Sequence, residues 1–290
     1  MLLQTIANGL LVGGLYATAS IGFSMVWGVM GVINLAHGAF IMIGAYITHW
    51  LFTSMGIDPF VTIPIAMIVL FVLGYLLQSF LINRIMKTSL LLSLILTFGI
   101  DMILINVVIM VFSNDFFSVN TGYSGMALEI GPVLLPYVRL SIFAFALILA
   151  GGFYVFLKKS RAGQAILATA LDKEVARLMS INPGRIYALT FAAGAALAGA
   201  AGALASMIFP ISPNMGNEFI GAVFVITVLG GIGSIEGCVI AGMLYGLIQT
   251  FASLMIGISY QNVVAFAIFL LILVLRPQGL FGKRYYGEIS

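Results

Sequence analysis

The chain has 290 residues, 62% of them hydrophobic and 7% charged, with a mean hydropathy of +1.19. Soluble domains carry roughly 25% charged residues, so a water-facing globule is excluded and lipid is the expected solvent. The net charge of +3 is no nucleic-acid footprint, because the basic residues cluster at span ends, and the single cysteine, Cys238, excludes an internal disulfide or a cysteine-based metal site.

A spanning helix needs about 20 apolar residues. The pattern predicts spans at 5–30, 35–55, 60–82, 89–112, 138–157, 186–208, 219–233, 237–256 and 260–275. The fold class is all-α and polytopic, a single transmembrane domain over 1–290 with about 8–9 helices. Ala17-Thr-Ala19 resembles a signal-peptide cleavage site. No basic region precedes it, and the apolar run continues to Met30, past the ~7–15 residues of a signal core. Residues 5–30 therefore read as a retained span.

Two Gly-rich interruptions stand out, 31–38 and 230–237. Ile33-Asn-Leu-Ala-His-Gly-Ala39 aligns without gaps on Ile232-Gly-Ser-Ile-Glu-Gly-Cys238. Each opens on Ile and reaches a polar residue, a Gly and a small residue before an apolar helix. Transporters often combine two related halves with interrupted helices beside the solute path. A true internal repeat and chance both stay open for so short a match.

Lys and Arg set orientation, because cytoplasmic loops retain them. All of them except Arg139 fall at Arg84 and Lys87, at Lys158 to Arg185, or in the tail at Arg276, Lys283 and Arg284. The loop 113–137 carries Asp115 and Glu129 and no Lys or Arg. The reading places 158–185 and the C-terminus in the cytoplasm and 113–137 outside, and leaves the N-terminal side open.

Residues 163–186 break the hydrophobic pattern and read as one amphipathic helix. Ala168, Leu171, Val175, Leu178 and Met179 form an apolar stripe at helical spacing, opposite Asp172, Lys173, Glu174 and Arg177. Asn182-Pro-Gly184 is expected to end it. The stripe lacks large aromatics, which favours a protein groove over lipid headgroups. The chain thus has the look of a membrane subunit driven by a soluble partner, with Ala168, Leu171, Asp172, Val175, Arg177 and Leu178 at the contact.

Along the membrane spans, candidates for the solute path are Asn34, His37, Gly38, Thr97, Gly99, Gly230, Gly231, Gly233 and Ser234. His37 reads either as a path-lining residue or as a helix-end histidine. Thr97 and Gly99 precede Asp101, a carboxylate in the middle of an apolar span. Such a charge costs about 2.5–3.5 kcal/mol on insertion scales and faces the bundle interior. No second buried acid stands nearby to form a proton relay, so a structural hydrogen bond is its expected role. The small residues of 192–205 suit close helix packing. There is no nucleophile–base motif, no metal-ligand spacing and no P-loop. The chain itself is expected to be no enzyme and to need no cofactor; any ATP would bind another chain.

Four segments resemble the hallmarks of branched-chain amino acid ABC transporter permeases: Met25-Val-Trp-Gly-Val-Met-Gly-Val-Ile-Asn-Leu-Ala-His-Gly-Ala-Phe-Ile-Met-Ile-Gly-Ala-Tyr46; Ala176-Arg-Leu-Met-Ser-Ile-Asn182 with Ala188-Leu-Thr-Phe-Ala192; Val228-Leu-Gly-Gly-Ile-Gly-Ser-Ile-Glu-Gly237; and Leu275-Arg-Pro-Gln-Gly-Leu-Phe-Gly282. They lie in order from end to end and are closer to the first of the family's two paired permeases. The resemblance implies a bacterial inner-membrane importer with a second permease subunit, two cytoplasmic ATPase subunits and a soluble substrate-binding protein. It also makes 158–185 the coupling-helix loop. Glu236 stands where the family commonly has another residue, often Pro, so urea, short amides and other amino acids stay open as solutes. The rival class is an ion-coupled secondary transporter, which does not need the 163–186 helix.

Overall fold

The computed structural model describes residues 2–85 and 90–275. Lys87, the tail with Arg276, Lys283 and Arg284, and the closing motif beyond Leu275 lie outside the described residues. The elements in order are α1 (Leu2–Met30), α2 (His37–Met55), α3 (Pro59–Leu77) and α4 (Asn83–Ile85), which a π-helical turn, Gln78–Ile82, joins to α3. Then come α5 (Leu90–Phe112), β1 (Ala127–Ile130), β2 (Val133–Pro136), α6 (Tyr137–Lys159), α7 (Arg161–Leu171), α8 (Lys173–Leu178), α9 (Pro183–Ala205), α10 (Met215–Gly230), α11 (Ile235–Met255) and α12 (Gln261–Leu275). Seven of these helices are long and apolar enough to cross a membrane, and the shorter α10 and α12 are apolar too. The all-α reading holds; the sheet among the described residues is one antiparallel hairpin, with Ala127 opposite Pro136. Gly131, at φ +58°, supplies the positive φ that its two-residue turn needs.

Two landmarks define the faces. The Gln4 side chain donates to Leu134 O at 2.6 Å and accepts from Leu134 N at 2.8 Å. The start of α1 therefore lies on the hairpin face. At its other end, Met30 lines a cavity with Lys173 and Arg177, on the basic face.

α1 and α9 are the most deeply buried of the spanning helices. Glycines let other backbones touch them. A Cβ on Gly13 would lie 2.7 Å from Met243 Cα, and one on Gly242 would lie 2.8 Å from Ala17 Cα. This seam fixes α11 against α1 by backbone approach alone. The small-residue run of α9 does the same for Gly22 and Gly44, whose Cβ positions fall on Gly194 and Gly199.

Two helices start inside the membrane rather than at a face. After Met30 the chain turns back, non-helical over 31–36, and α2 begins where His37 Nε2 donates to Ala19 O at 2.9 Å. Ala19 lies about three turns short of the end of α1. From the opposite face, 206–214 runs inward, bridged to Phe117 at Ile211 by bonds of 2.8 and 2.9 Å. It delivers α10, where a Cβ on Gly38 would lie 2.6 Å from Gly216 O. The N-termini of α2 and α10 thus meet at mid-depth and the two helices run apart, α2 to the hairpin face and α10 to the basic face.

The 230–237 interruption is a different object from 31–38. It is a tight turn near the basic-face end of α1, with Gly231 at φ +87° and Gly233 at φ +80°. A Cβ on Gly28 would lie 2.7 Å from Gly233 Cα. The counterpart of 31–36 in depth is 206–214, an interruption that the hydropathy pattern hid inside the gap between two spans.

Candidate functional site

The mid-depth junction gathers four of the nine path candidates. Leu35 donates its backbone N–H to Thr97 Oγ1 at 3.3 Å, and Thr97 Oγ1 donates to Leu94 O at 3.1 Å. Thr97 thereby ties the 31–36 segment to α5. Asn34 and His37 are buried, with Asn34 Oδ1 and His37 Nδ1 lacking a hydrogen-bond partner. A carbonyl only accepts, so the bond to Ala19 O puts the ring proton on Nε2 and leaves Nδ1 as an acceptor. Gly38 sits on the α2–α10 contact.

Asp101, buried on α5, lies within electrostatic reach of the backbone N–H of Ala39 in the first turn of α2. A partly buried anion at a helix N-terminus gains up to ~2 kcal/mol, which offsets most of the insertion cost of a mid-span carboxylate. The structural role expected of Asp101 has this physical form: it is a cap supplied by a neighbouring helix.

The other five candidates lie elsewhere. Gly99 on α5 has no atom near its Cβ position. Gly230 packs backbone to backbone on Gly237, Gly233 donates its N–H to Ser24 Oγ at 2.9 Å, and Ser234 caps α11 by accepting from Gly237 N at 3.0 Å. With Gly231 they build the turn at the basic face.

On that face the expected single helix over 163–186 is corrected to two. Asp172 adopts an extended conformation, ends α7, and accepts from Glu174 N at 2.8 Å and Val175 N at 3.1 Å to start α8. A side chain that caps in this way competes with helix continuation. Asn182-Pro-Gly184 opens α9 rather than closing its predecessor: Asn182 Oδ1 accepts from Gly184 N at 3.0 Å and Pro183 takes the first helical position.

The break re-aims the apolar stripe. Gly163, Ile166, Thr169 and Ala176 are the buried residues of the pair. Leu171 and Leu178 are each 85% exposed, Met179 73% and Val175 54%, while Ala168 is half-buried. Arg177 pairs with Glu174 at 3.0 Å beside them. An apolar patch on two capped, otherwise polar helices marks an interaction surface. Beside it a cavity of about 950 Å³ is lined by Met30, Asn83, Lys173, Arg177, Asn182 and Tyr187, so the patch adjoins the end of α1.

The family described as "Branched-chain amino acid transport system / permease component" matches residues 5–273. The chain belongs to this family. It is 34% identical to the high-affinity branched-chain amino acid transport system permease protein BraD of Pseudomonas aeruginosa, over 97% of this chain and 96% of that one. It is 30% identical to LivH of Escherichia coli K12, over 97% and 96%. A probable branched-chain amino acid transport permease protein LivH of Methanocaldococcus jannaschii is 25% identical over 95% and 91%. No solved structure matches the chain.

Glu218 is a mid-depth ionisable residue that the candidates read from sequence do not include. It lies in the first turn of α10 with Asn217 before it, both exposed, at the depth of Gly216 and of Phe219, whose ring is 5.6 Å from Tyr16. In sequence Asn217-Glu218 sits where a loop meets an apolar run and passes for an interfacial pair. Only the inward course of 206–214 carries it into the membrane.

Proposed function

We propose that this permease is the membrane subunit of an ATP-driven importer that moves branched-chain amino acids inward across the bacterial cytoplasmic membrane. The observation that carries the reading is the exposed apolar patch of Leu171, Val175, Leu178 and Met179 on α7–α8, with Asp172 capping α8 and Ser160 Oγ capping α7 by accepting from Gly163 N at 2.9 Å. A second permease completes the transmembrane pathway, two ATPase subunits bind and hydrolyse ATP, and a soluble receptor delivers solute to the hairpin face. The basic face is cytoplasmic by its Lys and Arg, which puts the N-terminus outside. Mid-depth ends of discontinuous helices are where transporters place solutes.

Burying the patch in a groove of the ATPase is a helix-in-groove contact. Leu171→Asp or Leu178→Asp sets an unpaired charge in that groove, which costs about 2–5 kcal/mol. The expected result is loss of co-purified ATPase and of receptor-stimulated ATP hydrolysis with membrane insertion unchanged. Wild-type co-purification and ATP hydrolysis by these variants would refute the coupling surface. Uptake of leucine without ATP, driven by an ion gradient, would place the chain in the secondary-transporter class instead.

A further inference from the structure

Glu218 is unexplained by packing. Intramembrane ionisable residues face a bundle interior or a water-filled cavity, yet Glu218 is exposed, and no ion pair or hydrogen bond to it occurs among the described residues. The helix dipole favours an acid in a first turn, but it favours Asp101 at α2 equally, and Asp101 is buried within reach of its amide. A carboxylate left open at this depth implies a cation that arrives from elsewhere.

A line of polar side chains leads to it from the hairpin face. Asn262, exposed near the start of α12, accepts from Gln249 Nε2 at 3.0 Å. Gln249 shares α11 with Tyr245, whose ring lies 5.1 Å from that of Tyr16 on α1, and Tyr16 in turn lies 5.6 Å from Phe219, the neighbour of Glu218 on α10. Four helices thus contribute one polar residue each to a ladder that runs inward and stops at the carboxylate. Its walls are apolar and aromatic: Tyr16 meets Tyr245 at 5.1 Å, and Phe219 meets Phe209 at 5.7 Å.

We propose that Glu218 is the ammonium-binding residue of the solute path, and that the seam between α1, α10, α11 and α12 leads the amino acid to it. This rests on the amino-acid reading above and names the group that recognises the solute's charged amine. A carboxylate forms a charge-assisted hydrogen bond with an ammonium, and aromatic faces favour both the cation and an aliphatic side chain. Urea and short amides carry no ammonium and gain no charge-assisted hydrogen bond there.

The test uses the complete transporter, with second permease, ATPases and receptor, reconstituted in proteoliposomes and supplied with leucine-loaded receptor. Glu218→Gln is expected to lower leucine uptake per ATP hydrolysed by about tenfold or more, the effect of losing one charge-assisted hydrogen bond. Recovery of the second permease stays at wild-type level, and Glu218→Asp restores much of the uptake. Tyr16→Phe, which removes only a hydroxyl from the ladder, is expected to lower uptake by a few-fold. Wild-type uptake by Glu218→Gln would overturn the proposal. So would loss of the second permease from the Glu218→Gln complex, which would assign the carboxylate to an ion pair between subunits. Equal failure of the Gln and Asp variants with reduced insertion would assign it to folding. If the wild-type complex hydrolyses ATP but moves no amino acid, the solute reading fails first and this proposal falls with it.

Discussion

The two helix ends that meet at mid-depth are built from similar parts and finished differently. The N-terminus of α2 is closed: Asp101 lies within reach of its first-turn amide, Thr97 straps its leading segment to α5, and His37 is held by Ala19. The N-terminus of α10 shares the Gly38–Gly216 contact but carries its acid outward, exposed and unpaired among the described residues. One carboxylate is spent on a helix end and the other stays open to whatever passes. Two carboxylates at one depth thus stand in different surroundings, one against a helix end and one exposed.

Substitutions at the two ends test this difference. The largest effect is expected at their shared contact. Gly38→Leu forces a branched side chain onto the Gly216 carbonyl, and overpacking of this kind costs about 1–3 kcal/mol or more. Uptake is expected to vanish, with a clear fall in thermal stability measured by fluorescence-detected gel filtration. Gly237→Leu, set against Gly230, is expected to match it. Next comes Asp101→Ala, which removes a cap worth roughly 0.5–2 kcal/mol. Its melting temperature is expected to drop while Asp101→Asn, still able to accept from Ala39, keeps most of the stability. If Asp101→Asn instead abolished uptake with stability intact, the closed end would be an active part of the path and the comparison would collapse. Thr97→Val is milder, losing a hydrogen bond worth about 0.5–1.5 kcal/mol, and should loosen 31–36 enough to raise hydrogen exchange there.

The smallest effect is expected away from both ends. Tyr123 donates to Asp58 Oδ2 at 2.9 Å and ties the hairpin-side loop to the cap of α3. Burial and this bond push the Tyr123 hydroxyl up to about 12. Because the folded value lies above the free one, the tie contributes fully below about pH 10 and is lost as pH rises through 12. Proteolysis of the 113–136 loop should accelerate over that window in wild type and be insensitive to it in Tyr123→Phe.

Much of the fold was legible because lipid demands long apolar runs. The nine spans appear as helices with ends shifted by a few residues, as where Asn182 and Pro183 start α9 ahead of the expected boundary at 186. What hydropathy misses is depth. An apolar run does not say whether it starts at a face or midway, so 31–36 was readable as an interruption but 206–214 was not. Glu218 consequently went unseen and the turn at 230–237 read as the equal of 31–38. The apolar stripe of 163–186 was readable in its residues but not in its break, because helical periodicity bridges a single residue such as Asp172 whose side chain prefers to cap.

The glycine seam between α1 and α11 bears on how such a protein moves. Shifting one helix along the other by a turn, about 5.4 Å, would bring Thr5 or Ile21 to positions where the facing backbone leaves no room for a Cβ. The pair therefore cannot ratchet; it behaves as a fixed stator. α10 is joined to it through 231–234, whose glycines at φ +87° and +80° are free of the torsional limits of other residues. Gly230 lies backbone to backbone on Gly237, and Gly233 against Gly28, so the basic-face end of α10 is held by the same seam.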